Sequence, residues 1–325
     1  MSSSGGVSAP VITGEQSMLV EDHKTSKRFI ATRLSFESLE DANKSYCDHW
    51  RFIRFVQKTH ENLVCLTKIY VEKSDVYIVK QRFTDNLIEY LMENDFHTRQ
   101  NRSQSDSSGG GSDENVSSKS SSSFSIEVLL DFMIQLSMVL SHLHQMGYIH
   151  GLCELIPQRI FMTDMFSKLL LDVGKSTSVF NEQTVRDNAQ HYMKSAFVAP
   201  EIKLNLRRGE WKLCENTERG DMFVLGVIFY MIITLSSCGA LEQIFHMDHL
   251  ESYTKTVEQN LKRVNCDEKL MATVMRCLDP NPMKRPKATH VHFILSQLQL
   301  ELETKKRKKL LRDREQQQQQ QQQQN

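Results

Sequence analysis

The chain has 325 residues, forty cations balanced by forty carboxylates, and 39% hydrophobic content, enough to bury one large core or two small ones. Even charge over the whole chain gives no global field for nucleic acid or a membrane surface, and neither is expected as a partner. Seven scattered cysteines without a CxxC pair read as reduced thiols, and no apolar run approaches the ~18 residues of a membrane span.

In chain order, residues 1–10 (MSSSGGVSAP) form a Ser/Gly-rich leader expected to be disordered. It has no signal-peptide pattern, and Ser2 stands where N-myristoylation needs glycine, so a cytoplasmic location is expected. Residues 11–95 read as a small β-rich unit around one helix. Arg28–Leu34 alternates as a strand, and Ser45–Lys58 puts Trp50, Ile53 and Val56 on a helical stripe. Leu63–Val71 and Val76–Lys80 are β-rich runs separated by a polar turn, and Asn86–Met92 is a short helix.

Residues 96–124 are dominated by Ser, Gly, Asn and Asp and cannot bury enough apolar surface to order themselves, so a flexible insert is expected. Residues 125–300 are mostly helical. Ser125 caps a helix whose stripe is Ile126, Leu129, Leu130, Met133, Ile134, Leu140 and Leu143. Phe223–Leu235 is too short for a membrane span and reads as a buried helix. Val291, Ile294, Leu295, Leu298 and Leu302 form the last stripe. Residues 301–325 hold a basic helix end and nine glutamines, the latter expected to be disordered or weakly helical. Lys305–Lys309 reads first as a solvated helix end, with a nuclear-localisation patch or a phosphate-binding face as alternatives.

Five motifs stand out by their order: LHQMGYIH (Leu143–His150), Asp172-Val173-Gly174, Ala199-Pro200-Glu201, Asp221 with Gly226, and CLDPNPMKRP (Cys277–Pro286). Each is weak alone. Together they resemble the landmarks of a protein kinase. The resemblance implies an α+β, bilobal fold over about residues 11–300, with a small β-rich N-lobe and a larger, mainly helical C-lobe. It also implies structural roles for Gly174, Glu201, Asp221, Gly226 and Arg285, with Glu201 and Arg285 as an ion pair.

Against that family the phosphoryl-transfer set is degenerate. Phosphoryl transfer needs cradled phosphates, a held metal, an ion pair locking the cradle and a carboxylate at the acceptor hydroxyl. Between Val11 and Lys27 only Gly14 is left of a phosphate-cradling loop. Arg33 stands where the family's strand lysine belongs, and Arg51 stands nine residues before His60-Glu61-Asn62-Leu63-Val64, where the partner glutamate belongs. Lys80 falls at a position beside the nucleotide that is normally apolar. After His150 the catalytic loop reads Gly-Leu-Cys-Glu; the base becomes Leu152 or Glu154, and the metal-binding asparagine becomes Arg159. Asp172 alone keeps the family's identity, with cations around it that suit a salt bridge better than Mg²⁺.

The resemblance therefore implies a pseudokinase acting as a scaffold or allosteric regulator of signalling partners, such as an active kinase or a ubiquitin ligase. No catalytic residue and no cofactor is expected, with weak ATP/Mg²⁺ binding through Asp172 and Lys80 left open. In this reading Arg33, Arg51 and Asp172 fill the nucleotide pocket. The alternative is a divergent Ser/Thr kinase with Glu154 as base, Asp172 for metal, and Arg33 or Lys27 on phosphate. Ser176, Thr177, Ser178, Thr184, Tyr192 and Ser195 are hydroxyls on the segment corresponding to the activation loop.

Overall fold

Alternating apolar side chains build the N-terminal sheet from four antiparallel strands in the order β1-β2-β4-β3. They are β1 (Ile12–Glu21), β2 (Arg28–Phe36), β3 (Leu66–Glu72) and β4 (Asp75–Gln81). The computed structural model describes residues 12–21, 26, 28–64, 66–81, 83, 86–92, 125–163, 168–174, 181–246, 249 and 252–324. The leader 1–10, the insert 96–124 and Lys27 lie outside them. Gly14 sits within β1, next to a register shift against β2. The β3–β4 hairpin turns through Lys73 and Ser74, with Lys73 left-handed at φ 55°.

The single helix expected at Ser45–Lys58 starts earlier. Helix α1 (Leu39–Ser45) is capped by Ser38, whose hydroxyl accepts from the Asp41 amide at 3.1 Å. A wide π-type turn (Tyr46–Trp50) leads into α2 (Arg51–Gln57). Trp50, Ile53 and Val56 are buried against the sheet, so the stripe is right while the start is displaced by a cap-and-acidic-turn signal. A short helix, α3, covers residues 87–92.

The C-terminal lobe is organised on α4 (Ile126–Gln145) and α8 (Glu218–Thr234). By length and a mean hydropathy of 1.5, α4 does meet the requirements of a membrane span, contrary to the sequence expectation. Half of that window is buried inside the fold, however, and Leu129, Leu130, Met133, Leu140 and Leu143 are core residues. Its apolar content is explained by packing. Helix α8 is buried from Gly220 to Ile233 and is apolar nearly all round, as a central helix must be. A two-stranded ribbon, β5 (Ile160–Met162) with β6 (Leu169–Leu171), lies under the sheet. The remaining helices are α5 (Glu182–Asp187), α6 (Ala189–Lys194), α7 (Pro200–Arg208), α9 (Cys238–Ile244), α10 (Tyr253–Arg263), α11 (Glu268–Cys277) and α12 (Ala288–Gln324).

The lobes are stitched at the back of the sheet. The Val64 amide donates to Leu171 O at 3.0 Å, the Leu171 amide donates to Asn62 O at 2.8 Å, and Asn62 Nδ2 reaches Leu169 O at 2.8 Å. That seam fixes the chain just ahead of Asp172 beneath β4. Helix α12 packs Val291, Leu295 and Leu298 into the core. It then continues as helix through Lys305–Lys309 and the glutamines, which the sequence reading expected to be at most weakly helical. Glutamine is a good helix former, and here the segment extends a helix already nucleated by tertiary packing.

Candidate functional site: the cleft between the lobes

A cleft of about 360 Å³ opens between the sheet and the C-terminal lobe. Its roof is Ser17, Ile30, Thr32, Leu34, Leu66, Ile78 and Lys80, its back is Trp50, and its floor is Gln158, Arg159, Phe161 and Asp172–Gly174. Strand alternation decides which residues reach it. Ile30, Thr32 and Leu34 of β2 face in, so Arg33 must face out. There its guanidinium pairs with Asp75 across the β2–β4 ladder, Nε at 2.9 Å and Nη2 at 2.8 Å. The Ser35 hydroxyl and Arg33 hold the Asp75 carboxyl below its usual range, against the effect of burial. Arg33 therefore does not join the cleft. Its inward neighbour is Thr32, whose hydroxyl lies 3.1 Å from that of Ser17 on β1. Arg51 is the first residue of α2, and its side chain lies outside the described residues.

Across the cleft runs a chain of alternating charges. Lys80, on β4, forms a close ion pair with Asp172 Oδ2 on the floor. Arg159 Nη1 lies 3.9 Å from the same oxygen, while its Nη2 sits 3.0 Å from Glu154 Oε2. The Asp172 amide donates to Arg159 O at 2.8 Å, tying the two backbones together. Glu154 folds back over Gly174, where a Cβ would clash with its Oε2. Tyr148 Oη donates to Gly174 O at 2.5 Å and holds the turn from the other side. Leu152, partly buried, packs against the core beneath the loop.

This donor set does not fit a divalent cation. Mg²⁺ wants several oxygens in an octahedron. Here both carboxylates are already matched with cations, and Arg159 lies between them. Among the described residues, no group of three or more His, Cys, Asp or Glu is placed to hold a metal ion.

Beneath the cleft the loop is pinned to α8 by Asp221, which is fully buried. Its Oδ2 accepts from the His150 amide at 3.2 Å and lies 3.2 Å from His150 Nδ1 and 3.0 Å from His144 Nε2. Asn216 Nδ2 donates to Asp221 Oδ1 at 2.7 Å and to His150 O at 3.0 Å. Burial would raise the Asp221 pKa, but His150 and His144 outweigh it and hold the carboxyl low. Further down, buried Arg285 forms a two-pronged bond with Glu201 at 2.8 and 2.7 Å and donates to Asp279 O and Arg219 O. Gly226 lets α8 approach α11, since a Cβ there would lie 2.8 Å from Cys277 Cβ.

The family model of the protein tyrosine and serine/threonine kinases matches residues 5–295. This chain is a member of the protein kinase family. A solved structure with the same fold is the crystal structure of Rad53 1-466 in complex with AMP-PNP. It is 17% identical, with a TM-score of 0.52, over 87% of this chain and 62% of that one; at this identity the likeness concerns the fold. The chain thus spans less than two thirds of that relative's length. No curated protein matches it in sequence.

Within this kinase-family fold, the segment read as a polar activation loop contains two short helices, α5 and α6. Ser176, Thr177 and Ser178 lie outside the described residues. Ser195 is buried, its hydroxyl accepting from the Phe197 amide at 3.1 Å and from Cys153 Sγ at 3.3 Å. Burial pushes the Tyr192 phenol up to about 12 and the Cys153 thiol to about 11. One residue here went unnoticed in the sequence. Lys203, in α7, is 1% exposed, donates to Phe245 O at 2.6 Å, and is pushed down by burial to about 8. Its signal is its position: it sits between Ile202 and Leu206 on the buried face of a short helix.

Proposed function

We propose that this family member is catalytically deficient, a pseudokinase that serves as a scaffold or allosteric regulator of signalling proteins. One observation carries the reading: Arg159, at the family's metal-binding position, bonds Glu154 and approaches Asp172, while Lys80 takes Asp172 from above. In an active kinase, Mg²⁺ and a free carboxylate base do this work. Here an internal cation stands in for the charge of the metal, and the Glu154 carboxylate near the base position is bonded to it. The lobes are then bridged by Lys80–Asp172 without nucleotide, giving a closed surface that a protein partner can recognise. Arg33, once placed on the outer face of the sheet, has no part in this closure.

The test is a thermal-shift titration of the purified chain with ATP, alone and with Mg²⁺ or Mn²⁺, beside a phosphoryl-transfer assay. We expect no metal-dependent stabilisation and no transfer. Metal-dependent stabilisation, together with transfer abolished by Glu154→Gln, would replace this reading with that of a divergent kinase using Glu154 and Asp172.

A further inference from the structure

Charge balance over the whole chain conceals a sharp local imbalance. Residues 305–315 (KKRKKLLRDRE) hold seven cations and two carboxylates, so the remainder of the chain is net negative. All of them belong to α12, and every residue from 303 to 321 is exposed. The core stripe of α12 ends with Leu298 and partly buried Leu302. Lys306 then meets Glu127, in the first turn of α4, at 2.8 Å. Among the described residues, Lys305, Arg307, Lys308, Lys309, Arg312 and Arg314 form no ion pair. From Lys306 to the end of α12 the helix runs on for roughly 27 Å at 1.5 Å per residue.

We infer that this projecting helix is a binding element for double-stranded DNA, recognised through its phosphates without sequence preference. The inference is independent of the proposed function of the cleft, and it departs from the expectation that whole-chain charge set. Two features select this polyanion. First, at about 100° per residue the seven cations are distributed around the whole circumference of the helix. A partner must therefore present negative charge on more than one side, as the two phosphate walls of a B-DNA major groove do; that groove admits an α-helix. An acidic protein surface would meet only one side. Second, the helix has no apolar face with which to lie in a membrane. Leu310 and Leu311 are each more than half exposed, but Arg307 and Arg314 fall between them on the wheel, whereas an interfacial helix needs a continuous apolar side. The negative remainder of the molecule confines the contact to this helix.

The experiment uses the full chain and a fluorescein-labelled 20-base-pair duplex of random sequence, followed by anisotropy from about 50 to 200 mM salt. With four to six phosphates neutralised, the slope of log Kobs against log[salt] is expected to be about −4 to −5. Replacing Lys305, Arg307, Lys308 and Lys309 by Gln should flatten that slope by about 3 to 4 and weaken binding at least tenfold at low salt. Glutamine keeps the helix and the side chains are exposed, so circular dichroism should not change. The same loss of charge at Arg207→Gln with Arg208→Gln, exposed on α7, should leave binding unchanged. The inference is overturned by no binding at low salt, by equal loss with the α7 variant, or by polyglutamate or phosphatidylserine vesicles binding as tightly as the duplex.

Discussion

Truncating Glu201 to alanine tests what holds the C-terminal lobe together. The guanidinium of Arg285 is fully buried and makes four bonds: two to Glu201 and one each to Asp279 O and Arg219 O. It also lies over the Phe223 ring, 5.1 Å from its centre. Removing the carboxylate strands a buried charge with only two carbonyl acceptors, a class of change that costs about 3–5 kcal/mol. The Glu201 side chain is 29% exposed, so water can enter the vacated space and lower the cost to about 2–4 kcal/mol. For a domain this large that corresponds to a fall in Tm of roughly 5–10 °C. Arg285→Met should cost less than its burial suggests, because it removes the charge that would otherwise be stranded. The double variant should be no worse than Glu201→Ala alone. Thermal melts of the four proteins complete the cycle. If Glu201→Ala shifts Tm by under about 2 °C, or the two changes simply add, the ion pair does not hold α7 to the loop after α11 and the argument fails.

Lys203→Met should stabilise the protein at neutral pH by about 1–3 kcal/mol, because burying a lysine whose charge Glu242 offsets only in part costs more than its one bond to Phe245 O returns. Its folded pKa of about 8 lies below the ordinary 10.5, so between those values the unfolded chain holds more protons and native stability rises with pH. The penalty is complete below pH 8, and that rise should vanish in the methionine variant. Denaturant midpoints at pH 7 and pH 10 check both points, and a variant weaker than the parent at pH 7 would refute them. Gly226→Ala should cost about 1–3 kcal/mol, since the new methyl meets Cys277 and Leu278 at 3.0 Å or less and neither helix can move freely. A neutral result in thermal melts would mean that α8 and α11 are not packed as closely as described.

Local chemistry explains how much of this fold was legible in one dimension. Helix α4 announced itself through a Ser125 cap and a 3.6-residue apolar period, and α8 through an apolar run of the right length. Both signals act within the element that carries them. Family resemblance, rather than spacing, linked Glu201 to Arg285, which are 84 residues apart. The start of α1 was missed although Ser38 and Asp41 form a cap signal, because the apolar stripe used to locate the helix begins only at Trp50.

The cleft shows where one-dimensional reading stops. Arg33 fits a motif by count, but which face of β2 it takes depends on strand register, and a shift of one residue exchanges the inside for the outside. Lys80 reaches Asp172 from 92 residues away, and Arg159 joins Glu154 and Asp172 only because a loop, a ribbon and a sheet converge. The residue types by themselves determined that arginines stand at positions 33 and 159 and a lysine at position 80. Tertiary packing decided which cation neutralises which carboxylate, since ion pairing depends on distances of a few ångströms that sequence separation does not encode.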